Sequence, residues 1–313
     1  MQLRAGACGL TVAKVGEAEV MAEVADDVLI AYPILDAHRC RRAAELAGRV
    51  KLRVAVDSVQ AAEAISGAAN RRGTTIGILV DVDLGYGRTG VQSDVQAVAL
   101  AQTVTRLPAM RLDGILTYTG HILGNEEQQT RAFDSVRSRL AALLDAWRRA
   151  GLAADIVSSG STPAAFHCHL AQHFTEIRPG TYVYNDMNTV RGGYVTLDDC
   201  AARVVATVVS DAVPGQIVLD AGSKTLTSDL CGPAPESGYG YLVEYPQAKI
   251  FRLTEEHAQV GVGELSQRPR LGEQVTVIPN HICVCVNMQS QVWWQEGDDL
   301  PRAIPVDARG LLA

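Results

Sequence analysis

The segment HICVCVN places His281, Cys283 and Cys285 at alternate positions. On a strand, residues two apart face the same side, so the three would project together. An imidazole and a thiolate two apart make a bidentate start for Zn²⁺, which accepts mixed nitrogen and sulfur ligands. A buried strand carrying small thiols accounts for the same residues without an ion. A second grouping, SSGSTPA (158–164), resembles an anion cradle, with Ser159, Gly160, Ser161 and Thr162 ahead of Pro163. Pro163 fits the first position of a helix over AAFHCHLAQHF, whose free N–H groups would favour negative charge. The turn RPGTY (178–182) lies at the end of the next apolar run and offers a second glycine for close backbone approach.

These groups need elements to hold them. Strands are expected at 9–13, 28–32, 52–56, 76–82, 114–118, 155–159 and 174–177, with amphipathic helical stretches between them. The longest stretch, EEQQTRAFDSVRSRLAALLDAWRRAG, ends on Arg148 and Arg149 with Gly151 at the C′ position. Near-continuous apolar strands alternating with helices imply a parallel sheet covered on both faces. From about residue 199 the pattern turns β-rich, which places a boundary between a domain over 1–198 and another over 199–313. Seven strands are counted where a (β/α)₈ barrel has eight. The opening AGACG reads as the end of a helix, so the fold is expected to be a TIM-type barrel lacking its N-terminal strand and helix, followed by a mainly β domain.

Active sites of such barrels lie at the C-terminal strand ends. Those ends hold Lys14, Tyr32, Asp57, the run from Asp83 to Arg88, Tyr118 with His121, Ser159–Thr162 and Arg178–Tyr182. Each also has a plain structural account. A glycine-rich strand end is often only a tight turn, Arg88 would pair with Asp81 or Asp83 at the rim, and Tyr118 and His121 would form a hydrogen-bonded wall.

Composition narrows the classes. The chain has 313 residues, 47% of them hydrophobic and 20% charged, with a formal net charge of −7. That balance excludes a mainly disordered chain and argues against nucleic acid as the main partner. No apolar run is long enough to span a bilayer, and the N-terminus has no secretory pattern. Seven cysteines without framework spacing point to reduced thiols and a cytoplasmic protein.

The segments TVAKVGEAEV, DVDLGYGRTGV, YTGH, SSGSTP, EIRPGTYVYND, LDAGSKTLTSD and PNHICVCVN span nearly the whole chain. In this order they resemble the D-threonine aldolase and D-serine dehydratase family, the metal-activated branch of the alanine racemase fold that uses pyridoxal 5′-phosphate. The resemblance implies that Arg88 approaches the cofactor's phenolic oxygen, that Tyr118 lines its ring and that Gly160, Ser161, Thr162, Gly180 and Thr181 hold its phosphate. Arg178 stands where the racemases face the pyridine nitrogen, and His121 is a candidate catalytic group. His281 and Cys283 match the family's metal pair, for Zn²⁺ or another divalent ion such as Mn²⁺. A cysteine rather than an aspartate at the second position leans toward the dehydratases. Cys285 is left as packing.

By the same resemblance the Schiff-base lysine would lie on the first barrel strand, upstream of TVAKVGEAEV. The four lysines here, Lys14, Lys51, Lys224 and Lys249, are outside that motif. Lys14 is expected to be structural and Lys224 to make a salt bridge. Either the start is set too far downstream or the protein is a degenerate paralogue, and activity is expected to be impaired. The function implied is a lyase acting on small D-3-hydroxy amino acids, dehydratase or aldolase, in a homodimer. Catalysis would need the domains, or two subunits, to bring barrel and metal pair together. The alternatives are a non-catalytic cofactor- or metal-binding paralogue and a racemase of the same fold.

Overall fold

The computed structural model describes residues 1–263 and 265–312. It divides into two compact units, Met1–Pro179 joined by the last residues from Leu311, and Gly180–Gly310.

In the first unit, seven parallel strands alternate with helices: β1 Leu10–Val12, α1 Val15–Met21, β2 Asp27–Ile30, α2 Ala37–Leu46, β3 Lys51–Val56, α3 Val59–Arg72, β4 Ile76–Asp81, α4 Asp94–Arg106, β5 Met110–Leu116, α5 Glu126–Arg149, β6 Ile156–Ser159 and β7 Glu176–Ile177. All seven strands overlap the apolar runs, with β5 starting four residues earlier than its run, at Met110. They pair in sequence order from β1 to β7, and among the described residues β7 does not close onto β1. The sheet is therefore an open barrel of the α/β class. A three-residue 3₁₀ turn, Leu3–Ala5, precedes β1 and stops at Gly6 with φ 98°.

Local chemistry fixes the helix starts. Asp36, Ser58 and Ser93 each accept the N–H three residues on, satisfying a donor that the first turn leaves free. Asn125 and Gln128 form a reciprocal capping box at α5. On α5, Phe133, Val136, Leu140, Leu143 and Trp147 are all buried, at the three- and four-residue spacing of one helix face. Burying each contributes roughly 1.5–3 kcal/mol. Strand β4 is buried along all six residues, which is why Ile76–Val80 are continuously apolar rather than alternating before the strand ends on Asp81.

The sheet's N-terminal edge carries a closed charge cluster. Buried Arg53 bonds Asp113 at 2.8 Å and also Asp27, while Arg111 bonds Asp113 at 2.5 Å.

The second unit contains α6 Met187–Arg191, β8 Val204–Ser210, β9 Gln216–Leu219, α7 Ser223–Leu226, β10 Tyr241–Leu242, β11 Lys249–Leu253, β12 Ala258–Gly261, β13 Gln274–Ile278, α8 Ile282–Met288, β14 Gln291–Trp294 and β15 Arg302–Pro305. Six strands form an antiparallel sheet in the order β10-β13-β8-β9-β12-β11, and β14 pairs with β15 in a separate ribbon. Alternation on β9, β12 and β13 turns Ile217, Leu219, Ala258, Val260, Val275 and Val277 into its core. As expected, Lys224 is ion-paired, to Glu256 at 2.5 Å. No helix among the described residues is long and apolar enough to cross a membrane.

Candidate active site

At the C-terminal strand ends of the first unit lies a cleft lined among others by Asp81, Tyr86, Arg88, Tyr118 and Arg178. Strand β4 delivers Asp81, and the loop after it folds back around a second carboxylate. Asp83 Oδ1 accepts the N–H groups of Gly85, Tyr86 and Gly87 at 2.9–3.0 Å. Burial alone would raise the Asp83 carboxyl, but these backbone donors hold it below its ordinary range. The loop so fixed presents Tyr86 and Arg88. Tyr86 meets Tyr118 edge to face at 4.8 Å, and the Arg88 guanidinium lies 4.8 Å from the Tyr118 ring centroid and 5.0 Å from that of Tyr86. Arg88 is thus held by two aromatic faces. The rim ion pair with Asp81 or Asp83 that the sequence allowed does not form among the described residues, because each carboxylate is engaged elsewhere. Asp81 accepts from Thr89 at 2.7 Å, and its burial pushes its pKa up to about 6.

Tyr118 owes its place to a glycine. A Cβ at Gly120 would stand 2.2 Å from the Tyr118 ring, so the YTGH turn closes only without a side chain there. His121 lies beside Tyr86, their ring centroids 6.4 Å apart. Partial burial lowers the His121 pKa, opposed by the charge of Asp83, so its ring is neutral at pH 7.

Arg178 follows β7. Its Nε donates to Ser158 Oγ at 2.9 Å and its Nη2 to the carbonyl of Thr117. Burial lowers its pKa, and a guanidinium stays protonated in proteins. Two strand ends therefore hold a half-buried cation against the cleft.

The cradle after β6 needs Gly160 at φ 90°, where its missing side chain also makes room for Ile177. Pro163 does not start a helix as expected: a 3₁₀ segment runs over Ala165–Ala171, capped by Ala164. No α-helix start therefore aims its free amides at this turn. In its place stands Ser161, whose hydroxyl is buried without a hydrogen-bond partner, as is that of Thr117 at the end of β5. Orphaned buried hydroxyls are uncommon and point to a missing acceptor or donor. Thr162 follows, half-buried. Gly180 and Thr181 open the second unit, where Gly180 precedes the 3₁₀ turn Thr181–Val183.

Lys14 caps α1 at the end of β1, its N–H donating to Glu17, and its Nζ stands 3.7 Å above the Tyr32 ring. This is the structural role expected of it.

In the second unit, HICVCVN is not a strand. Ile282–Met288 is helix α8, with His281 as its N-cap residue. The side-chain alternation of a strand therefore cannot bring His281 and Cys283 together. Instead the first helical turn does: Cys283 hydrogen-bonds the His281 side chain. Cys285 is turned inward, its Sγ 3.3 Å from the His281 carbonyl, and burial pushes its thiol up to about 12, which fits packing. His281 Nδ1 is 3.3 Å from Asp186 Oδ2, and these hydrogen bonds, Asp186 first and Cys283 second, raise its pKa to about 10. Asp186 is fully buried, a placement that costs several kcal/mol unless compensated. The N–H groups of Thr189 and Ile282 and the His281 ring supply the compensation.

Sequence reasoning overlooked Asp186 and Thr89. The first was signalled by Asp-x-x-Thr (186–189), a capping box. No local pattern marks Thr89 as the partner of Asp81.

A parallel sheet with a cation-lined cleft at its C-terminal edge, joined in sequence to an antiparallel β unit, defines a protein of the alanine racemase-like α/β class. The alanine racemase N-terminal domain family matches residues 1–188, and the putative serine dehydratase domain matches residues 201–294. The chain belongs to this family. It is 32% identical over 303 residues to the D-threo-3-hydroxyaspartate dehydratase of Delftia sp. (strain HT23), covering 90% of this chain and 79% of the relative. A cysteine-to-alanine variant of that dehydratase, described as metal-free, superposes with a TM-score of 0.87 at 28% identity, over 96% of this chain and 84% of that one. The D-threonine aldolase of Filomicrobium marinum superposes with a TM-score of 0.90 at 27% identity, over 100% of this chain and 85% of that one.

Proposed function

We propose that this protein is a pyridoxal 5′-phosphate- and metal-dependent lyase acting on D-3-hydroxy amino acids. The observation that carries the reading is the cleft, with two cations and edge-to-face tyrosines, together with the partnerless Ser161 hydroxyl at the same edge of the sheet. Relatives of both dehydratase and aldolase type support it. The residues fit the cofactor: Gly160, Ser161 and Thr162 suit a phosphate, Tyr118 a ring and Arg88 an anionic ring oxygen. Gly180 and Thr181 stay in this assignment on sequence alone. The donor chemistry of His281 and Cys283 fits a borderline ion such as Zn²⁺, with Mn²⁺ as the harder choice.

When bound, pyridoxal phosphate supplies an electron sink for bonds broken at the amino acid's α-carbon, and the ion a Lewis acid at its 3-hydroxyl. The chain's own residues do the rest. Arg88, fixed by two rings, holds negative charge at one side of the cleft, and Arg178 keeps a full positive charge at its floor. Ser161 Oγ–H is free to donate. His121, neutral at pH 7, accepts or hands on a proton at its ring nitrogen. A dehydratase outcome gives an oxo acid and ammonia; an aldolase outcome gives glycine and an aldehyde. The cysteine at 283 favours the former. A homodimer and a cytoplasmic location complete this reading.

The lysines favour a second version of it. Lys14 stacks on Tyr32 and Lys224 pairs with Glu256, and among the described residues no lysine lines the cleft. We therefore expect this 313-residue chain to bind the cofactor without a covalent link and to be impaired in turnover, as a non-catalytic paralogue would be. The test is to supply D-serine, D-threonine or D-threo-3-hydroxyaspartate with pyridoxal phosphate, Zn²⁺ or Mn²⁺, and ethylamine in place of the lysine amine. Stereospecific product formation that rises with ethylamine supports the lyase. Cofactor binding without turnover at any amine concentration favours the binding paralogue.

A further inference from the structure

We propose that Asp186 is the positioning residue of the His281–Cys283 pair, holding the imidazole by Nδ1 so that Nε2 is the nitrogen presented to an ion. The inference rests on the metal reading above, and it assigns a task to a residue which that reading leaves without one. Asp186 is buried with no exposed surface, and among the described residues its ion-pair partner is His281. One carboxylate does three jobs. Its Oδ1 accepts the Thr189 N–H at 3.1 Å and so caps α6. Its Oδ2 accepts the Ile282 N–H at 3.1 Å, at the start of α8, and stands 3.3 Å from His281 Nδ1. The residue before α8 and the residue before α6 are thus tied through the same group. Two backbone bonds reinforce the tie, from Met187 N–H to Pro279 O at 3.0 Å and from Asn188 N–H to Asn280 O at 3.2 Å.

With both oxygens already accepting N–H groups inside the protein, Asp186 is poorly placed to be a ligand itself. Among the described residues no group of three His, Cys, Asp or Glu side chains converges as a metal cage, so a two-donor site depends on how well its imidazole is aimed. A carboxylate on the far nitrogen fixes the ring's tautomer and direction, and its loss typically lowers metal affinity 10–100-fold.

The experiment titrates the full chain with CoCl₂ and follows the thiolate-to-cobalt absorption. Asp186→Asn, checked for folding by circular dichroism, is expected to weaken cobalt binding about 10–100-fold, and His281→Ala to abolish the band. Thr189→Ala, which removes the capping hydroxyl but keeps the carboxylate, should bind cobalt like the wild type. If folded Asp186→Asn binds cobalt normally while His281→Ala does not, the proposal fails and the metal reading stands. An unchanged band in His281→Ala overturns the metal reading itself. Equal losses in Thr189→Ala and Asp186→Asn would reduce Asp186 to a helix cap and overturn the proposal. Should Asp186→Asn not fold, ¹⁵N NMR of the zinc-loaded wild type decides: zinc on Nε2 with a protonated Nδ1 supports the assignment, and zinc on Nδ1 refutes it.

Discussion

The two edges of the parallel sheet bury polar groups in opposite ways. At the N-terminal edge, Arg53, Asp27, Asp113 and Arg111 satisfy one another. At the C-terminal edge, Ser161 and Thr117 keep hydroxyls without partners, and Asp81 is buried enough to hold its proton up to about pH 6. Both edges are rich in charge, so charge alone does not mark a site. Incomplete satisfaction separates the two: the first edge is paired within the chain, while the second keeps two buried hydroxyls without partners, as the proposed ligand site would.

Breaking the finished edge should have the largest effect. Arg53→Met leaves buried Asp113 with Arg111 alone and half-buried Asp27 without its guanidinium partner, and the first unit is expected to lose about 3 kcal/mol in urea unfolding. Binding of pyridoxamine 5′-phosphate by the folded fraction should be unchanged. A loss under about 1 kcal/mol would show that the cluster is solvated and the contrast false.

At the open edge the expected sign reverses. The folded pKa of Asp81, about 6, lies above its ordinary 3.8, so the stability linked to its protonation is present below about pH 4 and lost as the pH rises through 6. Asp81→Asn, whose amide oxygen still accepts from Thr89, should flatten that loss and stabilise the protein by about 2 kcal/mol at pH 7.5, with little change at pH 4. Parallel stability profiles for both proteins across pH 4–7.5 would contradict it.

Gly120→Ala should cost about 1–2 kcal/mol by overpacking. Its sharper readout is local: the new methyl displaces Tyr118 from Arg88, seen as a changed tyrosine environment in near-ultraviolet circular dichroism. An unchanged spectrum would mean that the YTGH turn has slack.

Much of this contrast was legible in the sequence. The strands of the first unit were marked by apolar runs too long to alternate, and the site's arginines and tyrosines by their place at strand ends. What escaped depended on partners distant in sequence or on backbone geometry. Asp186 and His281 stand 95 positions apart, and a capping box reads as local punctuation until the structure shows what else its carboxylate reaches. HICVCVN was misjudged because β-branched and thiol residues suit a strand, yet the chain turns helical immediately after His281. The pair still meets, through the first turn of a helix rather than across a pleat. SSGSTPA points to Ser161 for a reason that fails: Pro163 starts no helix, and what stands there instead is a buried hydroxyl without a partner, which no sequence pattern displays.

The proposed function requires a phosphorylated pyridine to seat on Ser161 at the open edge. Equilibrium binding of pyridoxamine 5′-phosphate and of pyridoxamine, to the wild type and to Ser161→Ala, tests it without requiring a lysine. The phosphorylated form should bind at least about 10-fold more tightly to the wild type, and Ser161→Ala should remove most of that preference, as loss of one hydrogen bond to a charged group implies. Equal affinity of the wild type for the two forms would contradict the claim.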